Sequence, residues 1–286
     1  MLSIIIPTYN RAHLISETLE SIQAQTYQDW ECLVVDDFST DNTEELIHQY
    51  SFRDNRIKYL KNERKKGAQG ARNTGVLKSK GVYVSFFDSD DTMFPERLEK
   101  QIRYLQENVS IDICTCYSHL INDRNEITGS FTWITKGNIL KQLLERTTYV
   151  DYNSAVIRKN IFDSAGLLDE DCPSYQEWDT YISIALYANF GTVHELLINY
   201  HQRNSGRISN DNQRELNGLI YIYSKHKELF IENLGITSFK NKLKNLAYLI
   251  LNQNKDFQDK AISTIPELKG IIFRLKIKNK LSKLLK

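Results

Sequence analysis

Four short apolar runs alternate with stretches of helical spacing in the first ninety residues, and two of the runs end in clustered aspartates. Leu2-Ser3-Ile4-Ile5-Ile6 stops at Pro7, after which Leu14, Ile15, Thr18, Leu19 and Ile22 recur at helical intervals. Residues 31–35 form a second run, ending in Asp36-Asp37. Ser39-Thr40-Asp41-Asn42-Thr43 then supplies turn and N-cap chemistry for a helix over about 44–50. Residues 57–60 are a third run, and 61–66 a strongly basic loop. Residues 67–78 read as a helix with a glycine-rich start, and Gly81 turns the chain into the fourth run, 82–87. Strand and helix alternating at this short spacing predict a largely parallel sheet with helices on both faces.

The fourth run leads into Phe86-Phe87-Asp88-Ser89-Asp90-Asp91, three carboxylates within four positions. Packed so closely they repel one another unless a cation or water lies among them. Asp36-Asp37 and Asp88-Ser89-Asp90-Asp91 both follow apolar runs, so both should lie along the carboxyl edge of the sheet, where open α/β folds bind ligands. Either alone reads equally well as an ordinary acidic turn; two on one edge weaken that reading. Lys61, Arg64, Lys65 and Lys66 and the helix start at 67–73 should lie nearby. Backbone amides at such a start favour phosphate, and Arg72 could pair with it through both guanidinium nitrogens. Acid, base and helix start together describe a metal–diphosphate site, with hard oxygen ligands suited to Mg²⁺ or Mn²⁺. An EF-hand does not fit: Met93 stands where its turn glycine belongs, and Pro95 interrupts the loop. Gly67-x-x-Gly70 matches neither a Walker loop nor a dinucleotide fingerprint.

With 286 residues, 41% of them hydrophobic, the chain is long enough for a large core and a second domain. A formal charge of +1 argues against a nucleic-acid binder. Cys32, Cys114 and Cys116 lie in apolar runs and, like Cys172, lack a zinc-ligand pattern; reduced core thiols are expected, as in a cytosolic protein. No signal peptide or membrane span is expected. Beyond residue 91, Leu98, Ile102 and Leu105 mark a helix and 111–117 a strand. Residues 126–134 suggest a hairpin arm, 136–146 a helix, 150–157 a strand, 159–164 a short helix, 177–188 a helix and 192–200 a strand. From 211 onward the spacing is helical only. This predicts a domain over 1–208, divided near 110, and a helical extension over 209–286. Residues 268–286 hold seven Lys and Arg and no acid, interleaved with apolar residues. Such a helix can lie on an anionic surface such as the inner face of the plasma membrane, or be a solvated helix packed by one face.

Ser3-Ile4-Ile5-Ile6-Pro7-Thr8-Tyr9-Asn10-Arg11, Val35-Asp36-Asp37-Phe38-Ser39-Thr40-Asp41, Gly70-Ala71-Arg72-Asn73-Thr74-Gly75 and Phe87-Asp88-Ser89-Asp90-Asp91, in that order, resemble glycosyltransferase family 2. The match is strong over about 1–110 and fainter to about 205. The resemblance implies a GT-A fold, Rossmann-like with a mostly parallel central sheet, and inverting transfer of a sugar from a nucleotide-diphosphate donor to a saccharide or lipid-linked acceptor. Asp37 would accept a hydrogen bond from the uracil of a UDP-sugar, and Tyr9 would stack on it. Pro7, Thr8, Arg11, Arg72 and Ser89 would complete the donor site. Asp88 and Asp90 would contact ribose and metal, with Asp90 or Asp91 as the metal ligand. In Tyr175-Gln176-Glu177-Trp178-Asp179, Glu177 stands where the family usually has the Asp that acts as base, with Asp179 in reserve. His201 or Arg203 would close over the diphosphate. Two alternatives remain. Asp88-Ser89-Asp90-Asp91-Thr92 also fits the motif of a haloacid-dehalogenase-type phosphatase, with Asp88 as nucleophile and Asp90 as acid/base, although that motif belongs on a first strand. The other is a nucleotide-sugar-binding module without catalysis.

Overall fold

The structure, a computed structural model, describes residues 1–202 and 212–284, with 279–284 described by backbone alone. The described residues fall into two compact units, one of 1–170 and 180–202, the other of 171–179 and 212–284.

The first unit opens with β1 (Leu2–Thr8), α1 (Ile15–Gln23), β2 (Trp30–Asp36), α2 (Thr43–Arg53), β3 (Ile57–Lys61), α3 (Ala68–Lys78) and β4 (Tyr83–Phe86). It continues through β5 (Thr92–Met93), α4 (Arg97–Glu107), β6 (Ile113–Ile121), β7 (Ile127–Phe131), α5 (Leu140–Glu145), β8 (Val156–Arg158) and α6 (Ile161–Ala165). Helix α7 (Gln176–Ile184) and β9 (Phe190–His201) follow. The sheet order is β3-β2-β1-β4-β8-β6-β9-β5, with β7 added to β6. The first four strands are parallel, as the alternation predicts. Thr8 stands opposite Asp36, and Ile5 opposite Phe86, so the carboxyl ends of β2 and β4 flank that of β1. Beyond β4 the sheet is mixed: β8 runs antiparallel to both β4 and β6, β7 antiparallel to β6 and β5 antiparallel to β9, while β6 and β9 are parallel. Ile4, Ile6, Val34, Phe87, Leu98 and Ile102 are fully buried in the core beneath this edge.

Three expectations need correction. The predicted strand over 150–157 is a turn up to 155, with only β8 extended. Its polar side chains compete with a ladder: Asn153 N–H donates to Asp151 Oδ1 at 3.1 Å, and Ser154 Oγ to Asp151 O at 2.8 Å. The helix predicted over 136–146 starts only at Leu140, because Gly137 takes φ +65° and Asn138 Oδ1 accepts the Leu140 N–H. Val82 is not a buried strand residue but 65% exposed. All four cysteines are buried free thiols, and burial raises Cys114 to about 12 and Cys116 to about 11, so both stay protonated.

The second unit is helical: α8 (Asn212–Lys225), α9 (Lys227–Leu234), α10 (Ile236–Ile250), α11 (Lys255–Thr264) and α12 (Leu268–Leu284). Trp178 belongs to it and meets Tyr223 and Phe230 edge-on, at 6.1 and 6.2 Å between ring centres. Phe230 in turn stacks on Phe239 at 5.7 Å. Among the described residues no helix is long and apolar enough to cross a membrane.

Gly70, in the first turn of α3, is required by close approach: a Cβ there would lie 1.9 Å from the Lys65 carbonyl oxygen. Gly270 in α12 has nothing within 4 Å. Gly70→Ala is expected to cost about 1–3 kcal/mol. Gly270→Ala should be neutral or stabilise by up to about 1 kcal/mol. Urea unfolding of both variants checks the contrast.

Candidate active site

The loops leaving β1 and β2 are knitted together. Asn10 (φ +52°) accepts the Thr40 N–H at 2.8 Å and donates its own N–H to Ser39 Oγ at 2.9 Å. Arg11 N–H donates to Thr43 Oγ1. The two adjacent aspartates diverge. Asp36 accepts from Ser39 and from Tyr59 Oη at 3.0 Å, an arrangement that shapes the turn. Asp37 is held across the sheet edge: its N–H donates to Thr8 O, while its carboxylate accepts from Asn62 Nδ2 at 2.7 Å and from Gly67 N–H at 2.9 Å. Gly67 caps α3, so Asp37 sits against that helix start. The protein fills about three of the roughly four lone-pair positions of a carboxylate, which leaves an acceptor position on a buried side chain. Pro7 and Thr8 end β1, and Thr8 Oγ1 is buried without a hydrogen-bond partner. Tyr9 is exposed, with Lys66 Nζ 5.1 Å above its ring.

Arg72 does not point outward as a phosphate clamp would. It is buried, donating to Asp88 Oδ1 at 2.9 Å and Gln69 Oε1 at 3.2 Å, and stacks 4.2 Å over Tyr152. Its Nε has no hydrogen-bond partner. Two residues of the basic loop are drawn toward acids: Arg64 pairs with Glu170, and Lys61 lies 3.6 Å from Glu44. Burial alone would raise the Glu170 carboxyl, but hydrogen bonds from Arg64 and Asn73 outweigh it and hold the group below its ordinary 4.5.

The acidic turn after β4 separates its carboxylates. Asp88 and Asp90 are half-buried, whereas Ser89 and Asp91 are buried. Asp91 is only 1% exposed: Oδ2 accepts from Asn153 Nδ2 at 2.6 Å and Oδ1 from the His201 N–H at 2.7 Å. Asn153 also accepts the Asp88 N–H through Oδ1 at 2.7 Å, so one side chain fixes both ends of the turn. Behind it, fully buried Arg97 donates to Asn153 O, to Ser85 Oγ at 3.0 Å and to Gln101 Oε1 at 3.0 Å. Burial lowers its pKa. The His201 imidazole lies 3.7 Å from Asp91, folded onto the turn. Arg203 lies outside the described residues.

Asn153, Arg97, Asn62 and Gln69 were not singled out from the sequence. None belongs to one of the ordered motifs, and 150–155 reads as strand. A buried polar residue flanked by turn formers was the available signal.

Glu177 lies half-buried in the first turn of α7. Asp179, 1% exposed, accepts from Lys225 Nζ at 2.8 Å and pairs with His226 Nε2 at 2.7 Å, which makes it an anchor of the helical unit. Just beyond it, Thr180 Oγ1 meets Tyr152 Oη at 2.7 Å and Gln69 Nε2 at 3.4 Å.

Among the described residues, no three Asp, Glu, His or Cys side chains converge as a metal cage. Mg²⁺ and Mn²⁺ on nucleotide diphosphates are typically held by one or two carboxylates plus phosphate oxygens. Half-buried Asp88 and Asp90 suit that donor set. Asp91, whose two oxygens both accept hydrogen bonds from the protein, suits it less. The cavity lined by Thr115, Trp133, Asp151 and Ser154 and the hollow beside Glu63 and Lys78 lie away from Asp37, Asp88 and Asp90, none of which lines either.

A mixed sheet whose parallel half gathers acidic strand ends is a GT-A arrangement. The solved Staphylococcus aureus TarS 1–349, in complex with UDP-GlcNAc, has the same fold: TM-score 0.70 at 20% identity, over 95% of this chain and 81% of that one. A mannosyltransferase from Pyrobaculum calidifontis, in complex with GDP-Man and Mn²⁺, gives 0.58 at 16% identity, over 99% of this chain and 87% of that one. The model of the family described as Glycosyl transferase family 2 matches residues 3–165, and the chain belongs to that family. An Escherichia coli protein named UDP-Glc:alpha-D-GlcNAc-diphosphoundecaprenol beta-1,3-glucosyltransferase WfgD is 42% identical over 144 residues, 49% of this chain and 55% of that protein. A Rickettsia conorii protein, an uncharacterised glycosyltransferase, is 28% identical over 270 residues, 92% of this chain and 43% of that protein. The chain thus spans about half or less of the length of these relatives. Family membership also removes the phosphatase alternative.

Two outcomes are expected. Asn153→Ala strips a partner from buried Asp91 and should cost about 1–3 kcal/mol; nucleotide binding, measured by calorimetry on the folded fraction, should weaken about tenfold or more as the turn loosens. For Glu170 the folded pKa is depressed, so its pairing stabilises above 4.5 and is lost as pH falls through the lowered value. The thermal midpoint of Glu170→Gln should therefore fall less steeply on acidification than that of the native chain.

Proposed function

We propose that the protein transfers a sugar, with inversion, from a UDP-sugar to a hydroxyl of a saccharide or lipid-linked saccharide in bacterial glycan assembly. One observation carries the donor class: Asp37 is a buried carboxylate with an acceptor position left open, immediately after β2 and next to the strand that leads to exposed Tyr9. Uracil presents one ring N–H and an aromatic face, which that pair suits. The similar proteins named for UDP-Glc and solved with UDP-GlcNAc support the same reading. The acceptor class rests on the E. coli relative's name, which specifies a diphosphoundecaprenol-linked sugar.

In this reading Tyr9 stacks on the base, and Pro7, Thr8 and Arg11 line the loop that receives the nucleoside. Asp88 meets the ribose and Asp90 faces the diphosphate. Arg72 acts through Asp88, holding its carboxylate in place. Mn²⁺ or Mg²⁺, when bound by Asp90 with Asp88, supplies positive charge to the leaving diphosphate. Glu177 takes the acceptor hydroxyl's proton as that oxygen bonds to the anomeric carbon. The bond from that carbon to the diphosphate oxygen breaks, and UDP leaves with the electron pair. Attack from the far side inverts the configuration. Glu177 is preferred to Asp179 because Asp179 is buried against Lys225 and His226.

Incubation of the chain with a panel of nucleotide sugars, Mn²⁺ and lipid-linked acceptors, with UDP release as readout, tests the reaction. Glu177→Gln should lower turnover about 10²–10⁴-fold with the donor dissociation constant unchanged. Asp37→Asn should instead weaken UDP binding about tenfold or more. Full turnover in Glu177→Gln would move the base elsewhere, and a preference for GDP over UDP would overturn the donor assignment.

A further inference from the structure

Helix α12 carries two apolar faces. Leu268, Ile272 and Leu275 are buried, and α12 packs on α10 and α11. At about 100° per residue these three lie within one narrow arc. Phe273 and Ile277 fall on the opposite side, at about 140° and 180° from Leu268, and are 65% and 44% exposed. The sequence continues that spacing with Leu281 and Leu284. Exposed basic residues border the outer stripe on both sides, Lys269 and Lys276 on one and Arg274 and Lys278 on the other. Lys280, Lys283 and Lys286 follow, and no acid occurs after Glu267.

The charge of the whole chain conceals this. Residues 207–286 hold sixteen Lys and Arg against seven Asp and Glu, a formal charge of +9. Residues 1–206 hold twenty-one against twenty-nine, a charge of −8. Such asymmetry points to a polyanionic partner for the C-terminal end.

We propose that α12 docks on an anionic phospholipid surface, lying in its plane with Phe273 and Ile277 inserted among the acyl chains. Lys269 on one side and Arg274 and Lys278 on the other would reach the headgroups, while Lys276 donates to Gln258 Oε1 of α11 at 2.7 Å. An apolar stripe bordered on both sides by long cationic side chains suits a surface with an apolar interior beneath an anionic layer. A nucleic acid offers the charge but no place for the stripe. A second copy docking through the same helix would set like-charged borders against each other.

The test uses the full chain without sugar donor or acceptor, so its outcome is independent of the transfer reaction. Co-sedimentation is measured with vesicles of phosphatidylcholine alone and of phosphatidylcholine mixed with phosphatidylglycerol. Binding to the mixed vesicles is expected to exceed that to the neutral ones by about tenfold or more, and to fall with added salt. The double variant Phe273→Ser, Ile277→Ser should lose most of this binding with its circular dichroism and thermal midpoint unchanged, because both side chains are exposed. Lys269→Gln combined with Arg274→Gln should reduce the preference for phosphatidylglycerol. Equal binding to both vesicles, wild-type binding by the Phe273/Ile277 variant, tighter binding to single-stranded RNA than to vesicles, or a dimer that the Phe273/Ile277 variant dissociates would each overturn the proposal.

Discussion

Repulsion among the carboxylates of Asp88, Asp90 and Asp91 is the constraint that the first unit is built to manage. Three negative charges within four residues disfavour one another, and the structure answers by giving them different surroundings. Asp91 is buried between an amide side chain and a backbone N–H. Asp88 is neutralised by Arg72. Asp90 lies half-buried between them. Asn153 makes the arrangement a single object, because the same amide group holds Asp88 and Asp91. Arg97 then fixes Asn153 from within the core while its charge is shared among neutral acceptors. A buried guanidinium without a hydrogen-bonded carboxylate is costly. Its charge is offset by the nearby carboxylate of Asp151.

The same principle separates the aspartates of the other strand end. Asp36 shapes the turn, whereas Asp37 is gripped by Asn62 and the start of α3 yet keeps an acceptor position open. In both clusters adjacent acids are given different partners. Asp179 extends the pattern: an acid in a motif that suggests catalysis is buried against a lysine and a histidine.

Much of the first unit was legible from the chain. The alternation over residues 1–91 is a local signal, since each element is set by the periodicity of its own apolar residues. The helices at 68–78 and 97–107 and the late strand at 190–201 follow it closely. Residues 136–155 were not legible. There short polar side chains bond their own backbone and cut elements short, an outcome that depends on local hydrogen bonds and not on hydrophobic spacing. Nor did composition show that 171–179 clusters with the helical unit, which follows from Trp178 packing on aromatic residues more than forty positions away.

By itself the sequence determined the order of strands and helices over residues 1–91, the edge on which the acids gather, and the family, because these follow from periodicity and from ordered motifs. Tertiary structure alone decided which partners each acid takes, that Arg72 faces Asp88, and that Asn153 clasps the turn. Those outcomes depend on residues far apart in the chain, such as Asp91 with Asn153 and His201. Whether a carboxylate is committed to the protein or left open to a ligand is set by which neighbours the fold brings to it, and no local pattern encodes that.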